Sequence, residues 1–529
     1  MVALQRTTLI VASVMLVAAA SFAAPLEVLR QESARWIRWT LPLPRQITIP
    51  RKVALAPEDV GVFLQRDSGP AARTAADQLR ALFAERAGVN ADGTEFGIVL
   101  GVLDENGEVG GRPAIDPARL KGLKNADQAY AIVPSDDTLI LTALDDKGVY
   151  YAAQTVRQLL EATLTEDTVE VPLAEVLDWP DLEERGEWGG SAVRDIEWMA
   201  ARKMNLVEAH SEETVEEDGT ATATFDAEVA ARGRDHATNV VPIITHLDHL
   251  LRTGIYEAYP QLIGEGYDIE NADRGLIAPC ASQPEFADVL AGWMEGLASV
   301  EGVTDINCWL SEIRGIQCQC EECRKVGQFV LEARAIVDAW RRVQPNHPDV
   351  NLRVLLTQGS WDTNEQVLES IPLDIDVSYY SGSKTYDSSR DPMIYDVLEK
   401  DIKRGRWMGC YPQLTPSWRI VCPWTGPQFI HFRMNEFVDD GLACLCGYAT
   451  PDNLCYEFNV LASAEWSWNA KGRSPREFAA AWATREGYQD PDAVAEWALR
   501  MGEVGWDLYG SGVMTPMETA LAKRTQEIL

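Results

Sequence analysis

Beyond Pro180 the chain alternates short apolar runs with amphipathic stretches in a regular rhythm. The apolar runs cover 184–190, 205–210, 239–246, 305–312, 351–359, 376–381, 406–411 and 441–448. Strands buried on both faces read as such near-continuous apolar segments, whereas helices show a period near 3.6. Helical periodicity falls at 191–203, 285–299, 323–343, 391–403 and 454–469. Eight strands with intervening helices predict an α/β fold built on a closed (β/α)8 TIM barrel over 180–470. Residues 25–178 predict a small α/β domain, with strands at 95–103, 128–134 and 138–144. One helix, 71–86, places Ala72, Ala75, Leu79, Leu82 and Phe83 on a single face; a second, 147–161, does so with Val149, Ala152, Ala153, Val156 and Leu160. Trp179-Pro180 marks the boundary, because the residue before proline resists helix. A helical tail over 471–529 follows, with segments at 475–486, 491–509 and 516–529.

The first 23 residues predict a secretory leader. Arg6 precedes an apolar run from Leu9 to Ala20 and a small-residue stretch at 20–24. The run is too short to cross a bilayer, which needs about 20 residues. The expected location is therefore periplasmic or extracellular. A formal charge of −34 repels phosphate backbones and anionic lipid heads, so neither nucleic acid nor a membrane is an expected partner. All ten cysteines lie at or beyond Cys280, which confines any staple to the second half.

In such barrels, catalytic side chains gather where strands end and loops begin. The candidates are Glu208 and His210 after strand two, His246, Asp248 and His249 after strand three, and Glu312 after strand four. Trp361 and Asp362 follow strand five, Tyr379 and Tyr380 strand six, Tyr411 strand seven, and Tyr448 and Asp452 strand eight. Of Glu208 and His210, one is expected to face the barrel interior and the other the helices. His246, Asp248 and His249 could bind substrate hydroxyls, serve structural hydrogen bonds or hold a metal. Aromatic rings stack on the C–H faces of sugars, so Trp361, Tyr379, Tyr380, Trp407, Tyr411 and Tyr448 suit a glycan site, about a third of them touching ligand. Cys318, Cys320 and Cys323, joined by Cys280, fit either a structural zinc site or two disulfides. The sequence contains no serine nucleophile elbow, phosphate-cradling glycine loop or His-Glu-x-x-His helix.

Residues 130–160 resemble the accessory domain that precedes the barrel in glycoside hydrolase family 20, the β-N-acetylhexosaminidases, and 184–210 resembles that family's first strand, first helix and second strand. Strand four ends Trp309-Leu310-Ser311-Glu312 where family 20 has an Asp-Glu dyad. The Cys-x-Cys-x-x-Cys segment that follows is similar to the Cys-rich loop of family 163 endo-β-N-acetylglucosaminidases. The resemblance implies hydrolysis of β-linked N-acetylhexosamine from a carbohydrate substrate, with Glu312 as general acid and no cofactor required for catalysis. It also implies that the substrate's acetamido group assists. Ser311 replaces the carboxylate that would orient this group, so Asp248 or Asp362 is expected to stand in, with Tyr379 or Tyr380 donating to the acetamido carbonyl. His210, His246, Asp248, Trp361, Asp362, Tyr379, Tyr380, Tyr411 and Tyr448 are the expected substrate contacts. Two alternatives stay open: a carbohydrate-binding barrel without turnover, and a hydrolase of a uronic acid or neutral sugar.

Overall fold

The structure is a computed structural model that describes residues 24–266, 276–316, 318–381, 392–414, 425–449 and 456–509, with side chains to 504. The leader expected at 1–23, Asp452 and the helix expected at 516–529 lie outside these residues.

The N-terminal α/β domain is a six-stranded sheet in the order Gln46–Thr48, Glu175–Asp178, Tyr130–Pro134, Thr138–Ala143, Phe96–Val102, Val60–Leu64. Helices Pro70–Ala87 and Asp146–Glu161 bury the apolar faces that their periodicity predicts. The first ends at Gly88, whose φ of 71° suits glycine, and the second starts where the Asp145 side chain accepts from Lys147 N.

All eight expected barrel strands form, each shorter than its apolar run: β1 (Glu184–Trp188), β2 (Leu206–His210), β3 (Asn239–Ile244), β4 (Asp305–Trp309), β5 (Asn351–Leu356), β6 (Asp376–Tyr379), β7 (Met408–Cys410) and β8 (Cys444–Gly447). They pair in parallel in chain order, and β8 closes on β1 with Glu184 opposite Cys444. Gly186 lets β1 and β2 approach, since a Cβ there would lie 1.8 Å from Leu206 O. Helices differ from expectation in detail. The stretch 191–203 is two short helices, Gly190–Arg194 and Ile196–Ala200, parted at Asp195. The stretch 323–343 is broken at Gly327, whose φ is 96°, leaving Glu321–Val326 and Gln328–Val343. In the tail, Pro475–Arg485 opens on a capping box between Ser474 and Glu477, and Pro491–Tyr509 follows. None of the described helices is long and apolar enough to cross a membrane.

Alternate strand residues point inward. At the end of the barrel where the strands begin, the buried Arg353 guanidinium reaches Glu184 at 2.6 Å and Asp305 at 2.9 Å and lies 4.6 Å over the Trp407 ring.

A second buried pair joins the N-terminal domain to the barrel. Lys203 Nζ is 3.0 Å from Asp178 Oδ2 and sits over the rings of Tyr130 (4.9 Å) and Trp468 (4.4 Å). Asp178 also accepts from the Tyr130 hydroxyl at 2.7 Å and from Trp468 Nε1 at 3.0 Å. Removing one member of a buried pair strands the other charge, at a cost of about 3–5 kcal/mol. Asp178→Ala should therefore lower the urea midpoint by that equivalent. A midpoint within about 1 kcal/mol of wild type would show that the pair does not hold the domains together.

Candidate active site

At the end of the barrel where the strands finish, a cavity of about 570 Å³ opens, and its walls are mostly aromatic. Trp188, Trp309, Tyr380, Tyr411 and Tyr448 line it together with His210, His246, His249, Gln358 and Glu312. Trp188 stacks on Tyr448 with centroids 4.6 Å apart and 2° between planes, and meets Trp309 edge-on at 5.4 Å. Trp309 also contacts His210 at 5.3 Å and His246 at 4.7 Å. Sequence reasoning passed over Trp188 and Trp309. The available signal was parity, since each lies an even number of residues from an inward partner, Gly186 or Asn307.

The same parity corrects two expectations. Glu208 and His210 are two residues apart and both face inward. Tyr379 and Tyr380 are neighbours and part ways: Tyr380 lines the cavity, while Tyr379 is buried between barrel and helices beside Trp361 and Tyr395. Tyr379 is thus no substrate contact.

Glu312 owes its place to the backbone around it. Where β4 ends, the ladder leaves three successive N–H groups to be satisfied, and two buried carboxylates take them. Ser311 N donates to Glu332 Oε2 at 3.0 Å, Glu312 N to Asp248 at 3.1 Å, and Ile313 N to Asp248 Oδ2 at 2.9 Å. The Ser311 hydroxyl also donates to Glu332, at 2.6 Å, so it turns into the helix layer away from the cavity. Asp248 is fully buried and committed to the amides of 312 and 313, which removes it as a stand-in carboxylate. Asp362 is removed too: it pairs at the surface with Arg314, its side chain 64% exposed. Glu312 is the single carboxyl lining the main cavity among the described residues.

The Glu312 carboxyl accepts from Gln358 Nε2 at 3.1 Å, and His249 Nε2 lies 4.0 Å from its other oxygen. Burial raises its pKa above the usual glutamate value and the Asp248 charge raises it further, against a lowering by His249. This is the state a proton donor needs. His210 and His246 are pushed down to about 4, chiefly by burial, so both are neutral near pH 7. His246 Nδ1 lies 2.9 Å from Leu310 O, so it carries the proton and leaves Nε2 as an acceptor. Beneath the floor, burial lifts Glu208 to about 7 despite Arg353, the Tyr411 hydroxyl and Asn307 Nδ2, which both donate to it.

Trp361 borders a smaller cavity of about 260 Å³, whose lining it shares with Glu312, Ile313, Arg314 and Gln358. His246, Asp248 and His249 do not converge as metal ligands. The described side chains that do are Cys280, Cys318, Cys320 and Cys323, whose sulfurs lie within 4.8 Å of one another. All eight described cysteines are free thiols, so the disulfide alternative is not what the structure holds.

Residues 39–179 match the family description "Glycosyl hydrolase family 20, domain 2". No curated protein matches the sequence with significance. Among solved structures, a family 20 exo-β-N-acetylglucosaminidase from Vibrio harveyi is 14% identical, with 90% of this chain and 80% of that one covered and a TM-score of 0.59. The Flavobacterium johnsoniae chitobiase is 13% identical, covering 90% and 75%, at a TM-score of 0.60. A family 138 enzyme targeting pectin rhamnogalacturonan II is 12% identical, covering 86% and 56%, at 0.58. At such identities the likeness establishes the fold. Residues 39–179 thus match the family 20 accessory domain, and the chain shares the fold of these family 20 structures.

Asp248→Asn keeps an acceptor for the loop amides and removes the charge that raises Glu312. The Glu312 carboxyl, followed by carbon-13 NMR, should then titrate at lower pH than in wild type. An unchanged midpoint would show that burial alone sets it.

Proposed function

We propose that this chain is an exported glycoside hydrolase that cleaves β-linked N-acetylhexosamine from glycans, with Glu312 as general acid. The observation that carries the reading is a partly buried carboxyl of raised pKa, held by its own backbone on the wall of an aromatic-lined cavity at the barrel mouth. Protonating the leaving oxygen as the glycosidic bond breaks is the task such a group suits. The leader-like residues 1–23 support export.

No second described carboxyl faces Glu312 across this cavity, which favours attack by the substrate's own acetamido oxygen over a protein nucleophile. In this reading Tyr380, on the cavity wall, donates to that carbonyl, and His246 Nε2 accepts from the acetamido N–H. Once the leaving group departs, the Glu312 carboxylate can take a proton from the incoming water. Ser311, turned towards Glu332, favours a second reading, a hydrolase of a uronic acid or neutral sugar, since the acetamido-orienting carboxylate has no counterpart there.

A thiazoline mimic of the bicyclic intermediate separates the two. It should bind about 10²-fold more tightly than an N-acetylglucosaminide substrate, and Glu312→Gln should lower turnover about 10²-fold on glycans with poor leaving groups and less on activated aryl glycosides. Activity confined to sugars without an acetamido group, with no thiazoline binding, would establish the second reading.

The four cysteines fit a structural zinc. Tetrahedral zinc with Zn–S near 2.3 Å requires sulfurs about 3.8 Å apart, and Cys280 Sγ lies 3.7 Å from Cys323 Sγ and 3.9 Å from Cys320 Sγ. Backbone N–H groups of Glu265 and Cys320 donate to Cys318 Sγ at 3.2 and 3.3 Å, which offsets in part the burial that raises this thiol. Closed by four protein ligands, the metal would cross-link the loops after β3 and β4 and take no part in catalysis. Elemental analysis should give one zinc per chain, and chelation should lower the melting temperature. Metal-free protein with unaltered melting in chelator would refute the site.

A further inference from the structure

We propose that the groove between helix Arg30–Trp39 and the corner at 484–491 binds an acidic sugar chain, one whose rings carry carboxylate or sulfate groups, through Arg35 and Arg38. The groove shares no lining residue with the cavity at the barrel mouth, so its role does not depend on that of Glu312. Helix Arg30–Trp39 turns Trp36 into the core of the N-terminal domain and leaves Arg30, Gln31, Ala34, Arg35 and Arg38 exposed. Its last turn is fixed to the tail, since Ile37 O accepts from Arg473 Nη2 at 2.8 Å and Trp39 O from Arg485 Nη1 at 2.7 Å. Between helix and corner lies a cavity of about 670 Å³, whose lining includes Leu29, Gln31, Arg35, Arg38, Thr484 and Pro491.

Residues three apart on a helix are neighbours, so Arg35 and Arg38 present two guanidiniums to one place. Among the described residues neither guanidinium has a hydrogen bond or an ion pair. The carboxylates at hand do not serve them: Glu32 pairs with Lys52 at 2.6 Å, Asp490 accepts from Ala493 N at 3.0 Å, and Asp492 pairs with neither arginine. In a chain with 81 acidic and 47 basic side chains, two adjacent cations without a carboxylate form a local positive patch, and a planar oxyanion is what a guanidinium fork holds best. Leu29, 74% exposed and on the same wall, adds apolar contact for the C–H groups of a ring. The volume falls among those of small-molecule sites, which run to about 300–1,000 Å³. Shape and net charge together select a chain over a membrane. An anionic bilayer would press its whole plane against a protein of charge −34, whereas one chain in the groove meets the arginines and is screened from the remaining charge beyond about 8 Å at physiological salt.

The test measures, by calorimetry, binding of the full chain to galacturonate oligomers and to heparin oligomers, with neutral N-acetylglucosamine oligomers for comparison. At least one acidic oligomer should bind, and more tightly at low salt than at physiological salt. Arg35→Ala combined with Arg38→Ala should weaken that binding about 10-fold or more, and Arg35→Lys with Arg38→Lys should weaken it less. Leu29→Glu, which places a carboxylate in the groove, should weaken it too. All three side chains are exposed, so these variants should melt with wild type. Arg119→Ala removes an exposed arginine elsewhere on the N-terminal domain and should leave binding unchanged. Failure of both acidic oligomers to bind would overturn the assignment, as would an equal loss in Arg119→Ala. Neutral oligomers that respond equally to the arginine variants would overturn the acidic class. Binding to vesicles of anionic phospholipid alone, lost in the double alanine variant, would give the groove to a membrane surface and overturn the sugar chain.

Discussion

The site depends on how strand β4 comes to an end. Past Trp309 the backbone must leave the barrel, and the N–H groups of Ser311, Glu312 and Ile313 need acceptors in a buried setting. Glu332 supplies one from the helix behind the strand and Asp248 supplies two from the neighbouring loop. Three backbone donors spread over two carboxylates leave the chain little freedom to rotate, and the Glu312 side chain inherits that rigidity. The sulfurs of four cysteines from the same two loops lie close together further out. Asp248 acts twice, because the charge that holds the amides also opposes ionisation of Glu312.

Charge inside the barrel is balanced by protons as much as by partners. Arg353 faces Glu184, Asp305 and Glu208, with Asp376 beside them, so carboxyls outnumber the cation. Burial lifts Glu208 and Asp376 to about 7, where each can hold a proton and relieve the surplus. Above this layer the neutral His210 and His246 add no charge to the cavity wall.

The strands were legible because strands covered on both faces must be apolar along their length, and polar residues marked each end. The α/β domain was legible for a similar reason, as Ala72, Ala75 and Leu79 recur at helical spacing. The helix broken at Gly327 was not, because an amphipathic stripe continues across a glycine whose φ turns positive only in the folded chain. Position after a strand picked out Glu312, His210, His246, Tyr380, Tyr411 and Tyr448, which line one cavity. It could not separate Asp248 from a ligand, since a loop carboxylate serves backbone amides as readily as substrate. Nor could it separate Tyr379 from Tyr380, for which the inward register of β6 is needed. Cysteine spacing gave the cluster and left its chemistry open, because thiolates and disulfides use the same residues.

The Lys203–Asp178 pair bears on how the molecule can be taken apart. Lysine and aspartate come from different structural layers, and Tyr130 and Trp468 enclose them from the N-terminal domain and the last barrel helix. A barrel expressed alone would retain Lys203 in a pocket that has lost both its anion and one aromatic wall. The N-terminal domain alone would carry the complementary orphan in Asp178. The two halves are therefore poor candidates for modular exchange between relatives, and a chimera would have to transplant the lysine, the aspartate and both rings as one set.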